Sequence, residues 1–299
     1  MEQLLTRVAL ALMLVLVPLS ASGQVVADHV FVDGFESAVD CSMELACAVP
    51  PSGKSCISGQ LTEAGSGAAM RAFFNAGLAC GEGAIGGPCN LRLTAYDAIA
   101  FASDPGTAPL ATTGAIVDGC GRFRFTTIDP PSFGFVTIVA DDAAGGAEND
   151  LHVPGATLHA LGANQRLERF GIVAVRRDAV ARWTISAGSP FGASSFADVG
   201  TILLQFSANI PAAGATVLRN GSTIAGDDYY FSDSNPAERL RVDAVLTSTG
   251  VNGAALVAPA GSPTSYSGFG GEPAGCTWPS VVAASPAGVV TLVRITCAP

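Results

Sequence analysis

Short extended runs bounded by turn residues are the feature that most limits what this chain can fold into. In the run GRFRFTTI at 121–128, Phe123, Phe125 and Thr127 alternate with Arg122, Arg124 and Thr126, the period-two pattern of a half-buried strand. An Asp-Gly turn precedes this run and Asp129-Pro130-Pro131 ends it. The chain contains 35 Gly and 18 Pro in 299 residues, too many interruptions for a long helical bundle. The pattern therefore predicts an all-β fold.

Similar runs recur along the rest of the chain. Asn220-Gly221 separates two short extended arms, which predicts a tight hairpin because both residues tolerate positive φ. One helical turn is predicted at Asn235–Leu240, and little else is helical. We predict two consecutive antiparallel β-sandwich domains, at 56–148 and 167–299, joined by a linker at 149–166. The further predicted strands are 56–63, 91–98, 133–142, 169–178, 181–188, 201–209, 241–249 and 289–297.

The amino-terminal region predicts export. Val8–Leu19 is an uninterrupted apolar run that is too short to span a bilayer but suits the core of a signal peptide. Small residues at Ala21 and Gly23 favour cleavage before Gln24, and a second cleavage site follows Ala27. We therefore predict a signal peptide at 1–23, an N-terminal segment at 24–55 and no membrane span after cleavage. The expected location is secreted, periplasmic or in the cell envelope.

An even number of cysteines in the exported portion predicts disulfides rather than reduced thiols or zinc sites. Cys276 and Cys297 lie far from the other six, so they are expected to pair with each other. Six cysteines allow 15 pairings, among which we favour Cys80 with Cys89, Cys56 with Cys120, and Cys41 with Cys47. The eight cysteines are Cys41, Cys47, Cys56, Cys80, Cys89, Cys120, Cys276 and Cys297.

The charge balance excludes one class of partner. The formal net charge is −10 with a pI near 4.6, so the long-range field repels nucleic acid and anionic lipid surfaces. Lys54 is the only lysine, and the local arginine pairs, including Arg239 with Arg241, are interpreted as solvated strand positions. Nucleic acid is therefore not expected as a partner, whereas a protein or carbohydrate surface is. The sequence does not indicate an oligomeric state.

Few residues suggest catalysis or metal binding. His152 and His159, with Asp150 nearby, offer a base and an acid for a secreted hydrolase, but no G-x-S-x-G nucleophile motif occurs. Asp141, Asp142 and Asp150 supply hard oxygen ligands of the kind that calcium prefers, without the spacing of an EF-hand. We expect no catalytic residue and no cofactor, with calcium as the one metal ion for which ligands are present.

Four aromatic side chains are candidate contacts for a sugar or peptide. Because Tyr229 and Tyr230 are adjacent, an extended backbone leaves only one of them on an exposed face. Trp278 follows Cys276 by two positions and is expected to cover the disulfide formed there. The fourth candidate is Trp183.

Several of the predicted strands together resemble a known family. The strand containing Ser58-Gly59-Gln60-Leu61, the run LRLTAYDA, the motif DGCGRFRFTTI and the run GFVTIVADD resemble carboxypeptidase regulatory-like and collagen-adhesin B-type modules of the transthyretin-like group. The resemblance covers roughly residues 56–142. It departs from the family by inserting FFNAGLACGEGAIGGPC between the first two strands and by placing Phe135 where tyrosine is usual. The resemblance implies a non-catalytic support or binding module.

A second, shorter resemblance lies near the amino terminus. Val30–Ser37, VFVDGFES, is similar to a DGFE element found in exported proteins of gamma-proteobacteria. It implies a bacterial exported origin and no particular reaction. Taken together, the sequence predicts an exported, non-enzymatic binding, adhesion or envelope-associated protein. The alternative is a secreted hydrolase that uses His152 or His159 with an acidic partner.

Overall fold

The structure, a computed structural model, describes residues 45–70, 91–111, 115–116, 120–142, 151–224 and 226–298. Within them the chain is mostly β, and the two α-helices are short, so the predicted all-β class is confirmed. The elements are β1 (Ser55–Glu63), β2 (Leu91–Asp97), α1 (Ala98–Ser103), β3 (Ala115–Ile116), β4 (Arg122–Ile128), β5 (Phe135–Asp142), β6 (His152–Val153), β7 (Gly155–Ala160), β8 (Arg166–Arg176), α2 (Arg177–Ser186), β9 (Thr201–Ser207), β10 (Ala215–Arg219), β11 (Ser222–Thr223), β12 (Asp228–Phe231), β13 (Val242–Asp243), β14 (Ala254–Val257), β15 (Thr264–Gly270), β16 (Val281–Ala283) and β17 (Val290–Thr296).

The strands of the described residues form three sheets. Sheet I has the order β4-β1-β8-β6, and sheet III has the order β11-β10-β15-β16. Sheet II lies between them and has nine strands, in the order β13-β12-β14-β9-β17-β7-β5-β2-β3. Residues of sheet I, such as Phe123 and Ile172, share a core with residues of β2 and β5, such as Leu93 and Ile138. Sheet I and sheet II therefore form one sandwich.

Strand β9 shows why sheet II can serve two cores. Leu203 belongs to the core that contains β8 and α2, whereas its neighbours Ile202 and Leu204 belong to the core that contains sheet III. Successive residues of a strand point to opposite faces, so sheet III packs on the face of β9 opposite α2. A strand buried on both faces carries consecutive apolar residues instead of alternating ones, as residues 202–204 of β9 do. The two sandwiches thus share the central sheet.

Three of the strand pairings are parallel, which the sequence analysis did not predict. Most pairs are antiparallel, but β8 pairs with β1 in parallel, and β17 is parallel to both β7 and β9. The interval 149–166, predicted as a linker, includes β6, β7 and the start of β8. Parallel pairs connect segments that are distant along the chain and have no short turn between them. Local patterns therefore gave no signal of these contacts.

The helices also differ from the sequence prediction. The run 181–188 was predicted as a strand, but most of it lies in α2. The buried residues of α2 are Ala179, Val180, Trp183 and Thr184, a spacing that repeats every three to four residues as helical packing requires. The turn predicted at Asn235–Leu240 is not helical. In the described part of the chain, no helix combines the length and apolar character needed to cross a membrane.

The structure confirms one local prediction, a hairpin, and corrects another at a β-bulge. Asn220 and Gly221 have φ values of 52° and 78° and connect β10 to β11, which confirms the predicted hairpin. In β4, the register shifts by one residue opposite β1, so that Thr127 is exposed and Ile128 is buried. This β-bulge breaks the alternation predicted for Thr127.

The disulfides confirm one predicted pair and correct two. Cys276 is bonded to Cys297, as predicted. Cys56 is bonded to Cys47, so the pairings of Cys56 with Cys120 and of Cys41 with Cys47 are wrong. Arg166 donates to Cys47 O and is the register partner of Cys56 across β1 and β8, so the fold brings Cys47 beside Cys56. Cys120 also forms a disulfide. The predicted pair Cys80 with Cys89 and the residue Cys41 lie outside the described residues.

Candidate functional site

The structure joins His152 to an aspartate in a buried pair. His152 Nδ1 lies 2.8 Å from Asp142 Oδ1, and the His152 amide donates to Asp142 Oδ2 at 2.9 Å. The two side chains are only 3% and 7% exposed. Among the described residues, no serine, threonine or cysteine side chain hydrogen bonds to His152. The pair therefore ties the end of β5 to β6 and presents no reactive group to solvent.

The candidate calcium ligands are only partly brought together. Asp141 Oδ1 accepts from the amide of Asp142, and the Asp142 carboxylate is engaged by His152. Asp150 lies outside the described residues. Elsewhere in the described ranges, no group of three or more His, Cys, Asp or Glu side chains is arranged to hold a metal ion. Calcium binding stays a prediction.

The four candidate aromatic contacts are buried. Tyr229 and Tyr230 lie in different cores, on opposite faces of β12, so neither is available on the surface. Trp278 is in the same apolar cluster as Cys276 and Cys297, which fits its predicted role beside that disulfide. These aromatic residues therefore pack the sandwich instead of forming a ligand platform.

A cleft of about 430 Å³ opens between sheet I and sheet II, a size typical of small-molecule sites. Its walls come from inward positions of paired strands, where Thr62 lies beside Val173 and Gln205 beside Arg294. We call it the arginine cleft because its lining includes two arginines and no acidic residue. The lining residues are Thr62, Gly67, Val173, Leu203, Gln205, Pro211, Pro236, Ala237, Arg239, Leu292 and Arg294.

Arg239 is held in the arginine cleft by its backbone. Its amide donates to Gly65 O at 2.5 Å, and its carbonyl accepts from Trp183 Nε1 at 2.6 Å. The side chain donates from Nη1 to Ala237 O at 3.3 Å, whereas Nε is buried without a hydrogen-bond partner. A buried donor without a partner costs free energy, so this group is suited to a bound acceptor.

Arg294 approaches from the opposite wall. It lies on β17 and donates from Nη1 to Gly171 O of β8 at 2.7 Å, while its guanidinium carbon lies 6.0 Å from the ring centre of Phe170. The side chain keeps substantial solvent exposure. Loss of hydration beside the protein lowers the pKa of the Arg294 guanidinium, and the positive charge of Arg239 lowers it further. The two arginines therefore interact as like charges.

Two carboxylates outside the lining partly balance this charge. Burial lowers the pKa of Arg239, while Glu63 and Asp233 oppose that shift. Both carboxylates already serve the backbone, since Glu63 accepts from the amides of Gly65 and Ser66 and Asp233 accepts from Leu240 and Arg241. Neither forms a direct ion pair with Arg239 in the described part of the chain. The guanidinium groups thus remain available to an external anion.

His159 lies beside this site. Thr157 aligns with Leu292 across β7 and β17, and farther along β7 the positive charge of Arg294 acts on the His159 ring. The His159 ring also packs against Phe170, with ring centres 4.8 Å apart. Burial, followed by the charge of Arg294, lowers the pKa of His159 from its ordinary value of 6.5.

This lowered pKa predicts a pH dependence of stability. The unfolded chain takes up a proton near pH 6.5, whereas the native protein does so only at lower pH. The stability contributed by neutral His159 is therefore complete above the unfolded value and is lost as the pH falls through it towards the native value. We expect His159→Gln to flatten the free energy of unfolding over this window, as measured by urea denaturation.

An NMR titration provides the control for this prediction. The sequence has only three histidines, so their ring signals can be assigned by substitution. Arg294→Gln should raise the pKa of His159 because it removes the repelling charge. A native His159 that titrates above its ordinary value would contradict the assignment.

The sequence patterns did not reveal the arginine cleft. Arg239 was interpreted as a solvated strand position, whereas it lies in a loop against sheet I. The other polar residues of the cleft include Gln205 and Arg294, which lie on strands far apart in the chain that meet through parallel pairing. The one available signal was Arg294, the single charged residue in the run VVTLVRI.

Comparison with known proteins yields no family. No protein-family model matches the chain, and a search of curated proteins found no relative. Among solved structures, the shaft pilin SpaA of Lactobacillus rhamnosus GG aligns over 83% of this chain and 99% of its own, with 10% identity and a TM-score of 0.22. The minor pilin GBS52 of Streptococcus agalactiae aligns over 82% and 97%, with 11% identity and a TM-score of 0.21. At scores this low, the alignments carry no argument about the role of this chain.

Proposed function

We propose that this chain is an exported, non-enzymatic binding protein with an adhesion or envelope-associated role, and that it binds its ligand in the arginine cleft. The observation that supports this proposal most is the pair Arg239 and Arg294, two like charges in one concave site with a buried, unpartnered Nε. Like charges placed together destabilise the empty site and favour an oppositely charged ligand. Disulfides fit an oxidising compartment outside the cytoplasm.

The hydrolase alternative has less support. His152 has an acidic partner, Asp142, but both are buried and no nucleophile of the described chain contacts them. His159 is packed against Phe170 and repelled by Arg294, so its surroundings do not favour the protonated form that an acid catalyst needs. These arrangements are better explained by packing than by acyl transfer.

The test is a ligand screen with the purified protein, run beside hydrolysis assays. A thermal-shift panel should contain neutral sugars, acidic sugars, peptides, small organic acids and inorganic oxyanions. A ligand present at a hundred times its Kd stabilises the native state by about 2.7 kcal/mol, which moves Tm by several degrees. We expect at least one such ligand, and its effect should be lost in the double variant Arg239→Gln, Arg294→Gln.

Hydrolysis assays test the alternative function. We expect chromogenic ester, peptide and glycoside substrates to show no turnover above a heat-denatured control. Turnover that disappears in His152→Gln or His159→Gln, with the fold retained by circular dichroism, would establish the hydrolase instead. A panel in which no compound changes Tm would remove the proposal of a ligand site in the arginine cleft.

A further inference from the structure

The chemistry of the arginine cleft narrows the ligand to one class. A guanidinium presents its N–H groups in a planar fork that matches the two oxygens of a carboxylate or the edge of a phosphate. In Arg239 the Nε donor of this fork is buried and unpartnered. Arg294 uses Nη1 for Gly171 O, which fixes the direction of its guanidinium. An oxygen anion is therefore the kind of ligand group that suits both guanidinium groups.

Neutral polar groups of the cleft can complete the binding of such an anion. Gln205 lies directly beside Arg294 in the parallel register of β9 and β17, and its side-chain amide carries two donors. The Thr62 hydroxyl donates to Ile172 O at 3.2 Å, so its proton is used and its oxygen can only accept from a donor elsewhere on the ligand. Gln205 on β9 is therefore the neutral donor beside the anion, and Thr62 on β1 is an acceptor for the rest of the ligand.

The other residues of the cleft limit the chemistry of the ligand's body, and the net charge of the protein limits the ligand's charge. Val173, Leu203 and Leu292 continue the apolar core into the cleft, and Pro211 and Pro236 extend this apolar surface. A strongly hydrated, multiply charged anion gains nothing from such walls. The net charge of −10 also repels an anion in proportion to its charge. A singly charged ligand with an apolar body meets both conditions.

We propose that the arginine cleft binds the carboxylate of a small organic acid, with the carboxylate between Arg239 and Arg294 and an apolar body against Pro211 and Pro236. This inference rests on the proposed binding function and adds the chemical class of the ligand. The same chemistry occurs in a free organic acid and in the carboxyl terminus of a peptide. Phenylacetate and N-acetyl-leucine serve as probes for these two sources.

Isothermal titration calorimetry of the full protein tests the proposal. Phenylacetate or N-acetyl-leucine is expected to bind, while the uncharged phenylacetamide and N-acetyl-leucinamide bind at least about tenfold more weakly, the loss expected for a charge-assisted hydrogen bond. Stronger binding of phenylacetate indicates a free acid, and stronger binding of N-acetyl-leucine indicates a peptide terminus. Either result supports a carboxylate site.

Matched variants place the binding in the cleft. Arg239→Gln and Arg294→Gln should each weaken binding by about tenfold or more, whereas Arg294→Lys should retain part of it because it keeps the charge and loses the fork. Arg182→Gln is the control, since Arg182 is exposed on α2 and pairs with Asp178 away from the cleft. Circular dichroism and Tm measurements on each variant separate loss of binding from loss of fold.

Three results would overturn the proposal. Equal binding of the acids and their amides would show that the apolar walls alone bind the probes. Tighter binding of inorganic sulfate or phosphate would identify a site for multiply charged oxyanions. If the carboxylates fail while a neutral ligand of the wider panel binds in the cleft, the proposed binding function stands and the carboxylate inference falls.

Discussion

Replacement of Trp183 by alanine is expected to lower the free energy of unfolding by about 3–5 kcal/mol, the usual cost of removing a buried aromatic ring. Trp183 is fully buried on α2, where its ring packs edge-to-face against Phe231 with centres 5.7 Å apart. Its indole also donates to Arg239 O. The variant therefore loses the packing of α2 on sheet II and the support of the arginine cleft. Urea or thermal denaturation measures the loss.

Two further substitutions separate these contributions. Ile185→Ala lies on the same helix but at a side chain that is 74% exposed, so it should change stability by less than about 0.5 kcal/mol. Trp183→Phe keeps an aromatic ring and removes the indole donor, which should cost about 1–3 kcal/mol and weaken ligand binding by Arg239. A Trp183→Ala variant as stable as the Ile185→Ala control would show that α2 does not pack as described.

Substitution of Gly59 by alanine is expected to cost about 4 kcal/mol or more, enough to reduce the yield of folded protein sharply. A Cβ at this position would lie 1.8 Å from the carbonyl oxygen of Phe170 and 2.7 Å from its nitrogen. These are backbone atoms of β8, the parallel partner of β1, so no side-chain movement can relieve the clash. The strands would have to separate in the middle of sheet I. Soluble yield and denaturant unfolding report the effect.

Gly261→Ala is the matched control for this substitution. An added Cβ at Gly261 would meet no atom within 4 Å, so the variant should match the parent in yield and stability. A stable, soluble Gly59→Ala protein would contradict the close approach of β1 and β8. The comparison tests the parallel pairing that the sequence did not predict.

The strands themselves could largely be predicted from the sequence, because a strand buried on one face shows its period locally. β4 is a clear case, since Phe123 and Phe125 are buried while Arg124 is exposed. The hairpin at Asn220-Gly221 was equally predictable, because the residues that favour positive φ are part of the turn itself. The bulge at Thr127 was not, since it depends on the partner strand.

The assembly of the strands could not be predicted in the same way. The pairing of β17 with β7 and β9 depends on contacts over more than 80 residues, for which a single sequence contains no local sign. α2 was misread because Trp183 and Ile185 also suit a strand, although the spacing of Ala179, Val180 and Trp183 was available as a helical signal. The arginine cleft was missed because its walls exist only after strands distant in the sequence have paired, and a local pattern does not show such pairing.

The position of β17 has a consequence for how the protein acquires its structure. During synthesis it is the latest of the described strands to emerge, yet it lies between β7 and β9, near the middle of sheet II. Until residues 290–296 are present, those two neighbours lack a shared partner and the wall that carries Arg294 does not exist. The central sheet therefore closes only after this strand has been made, and a product truncated ahead of β17 would have neither a complete core nor the β17 wall of the arginine cleft.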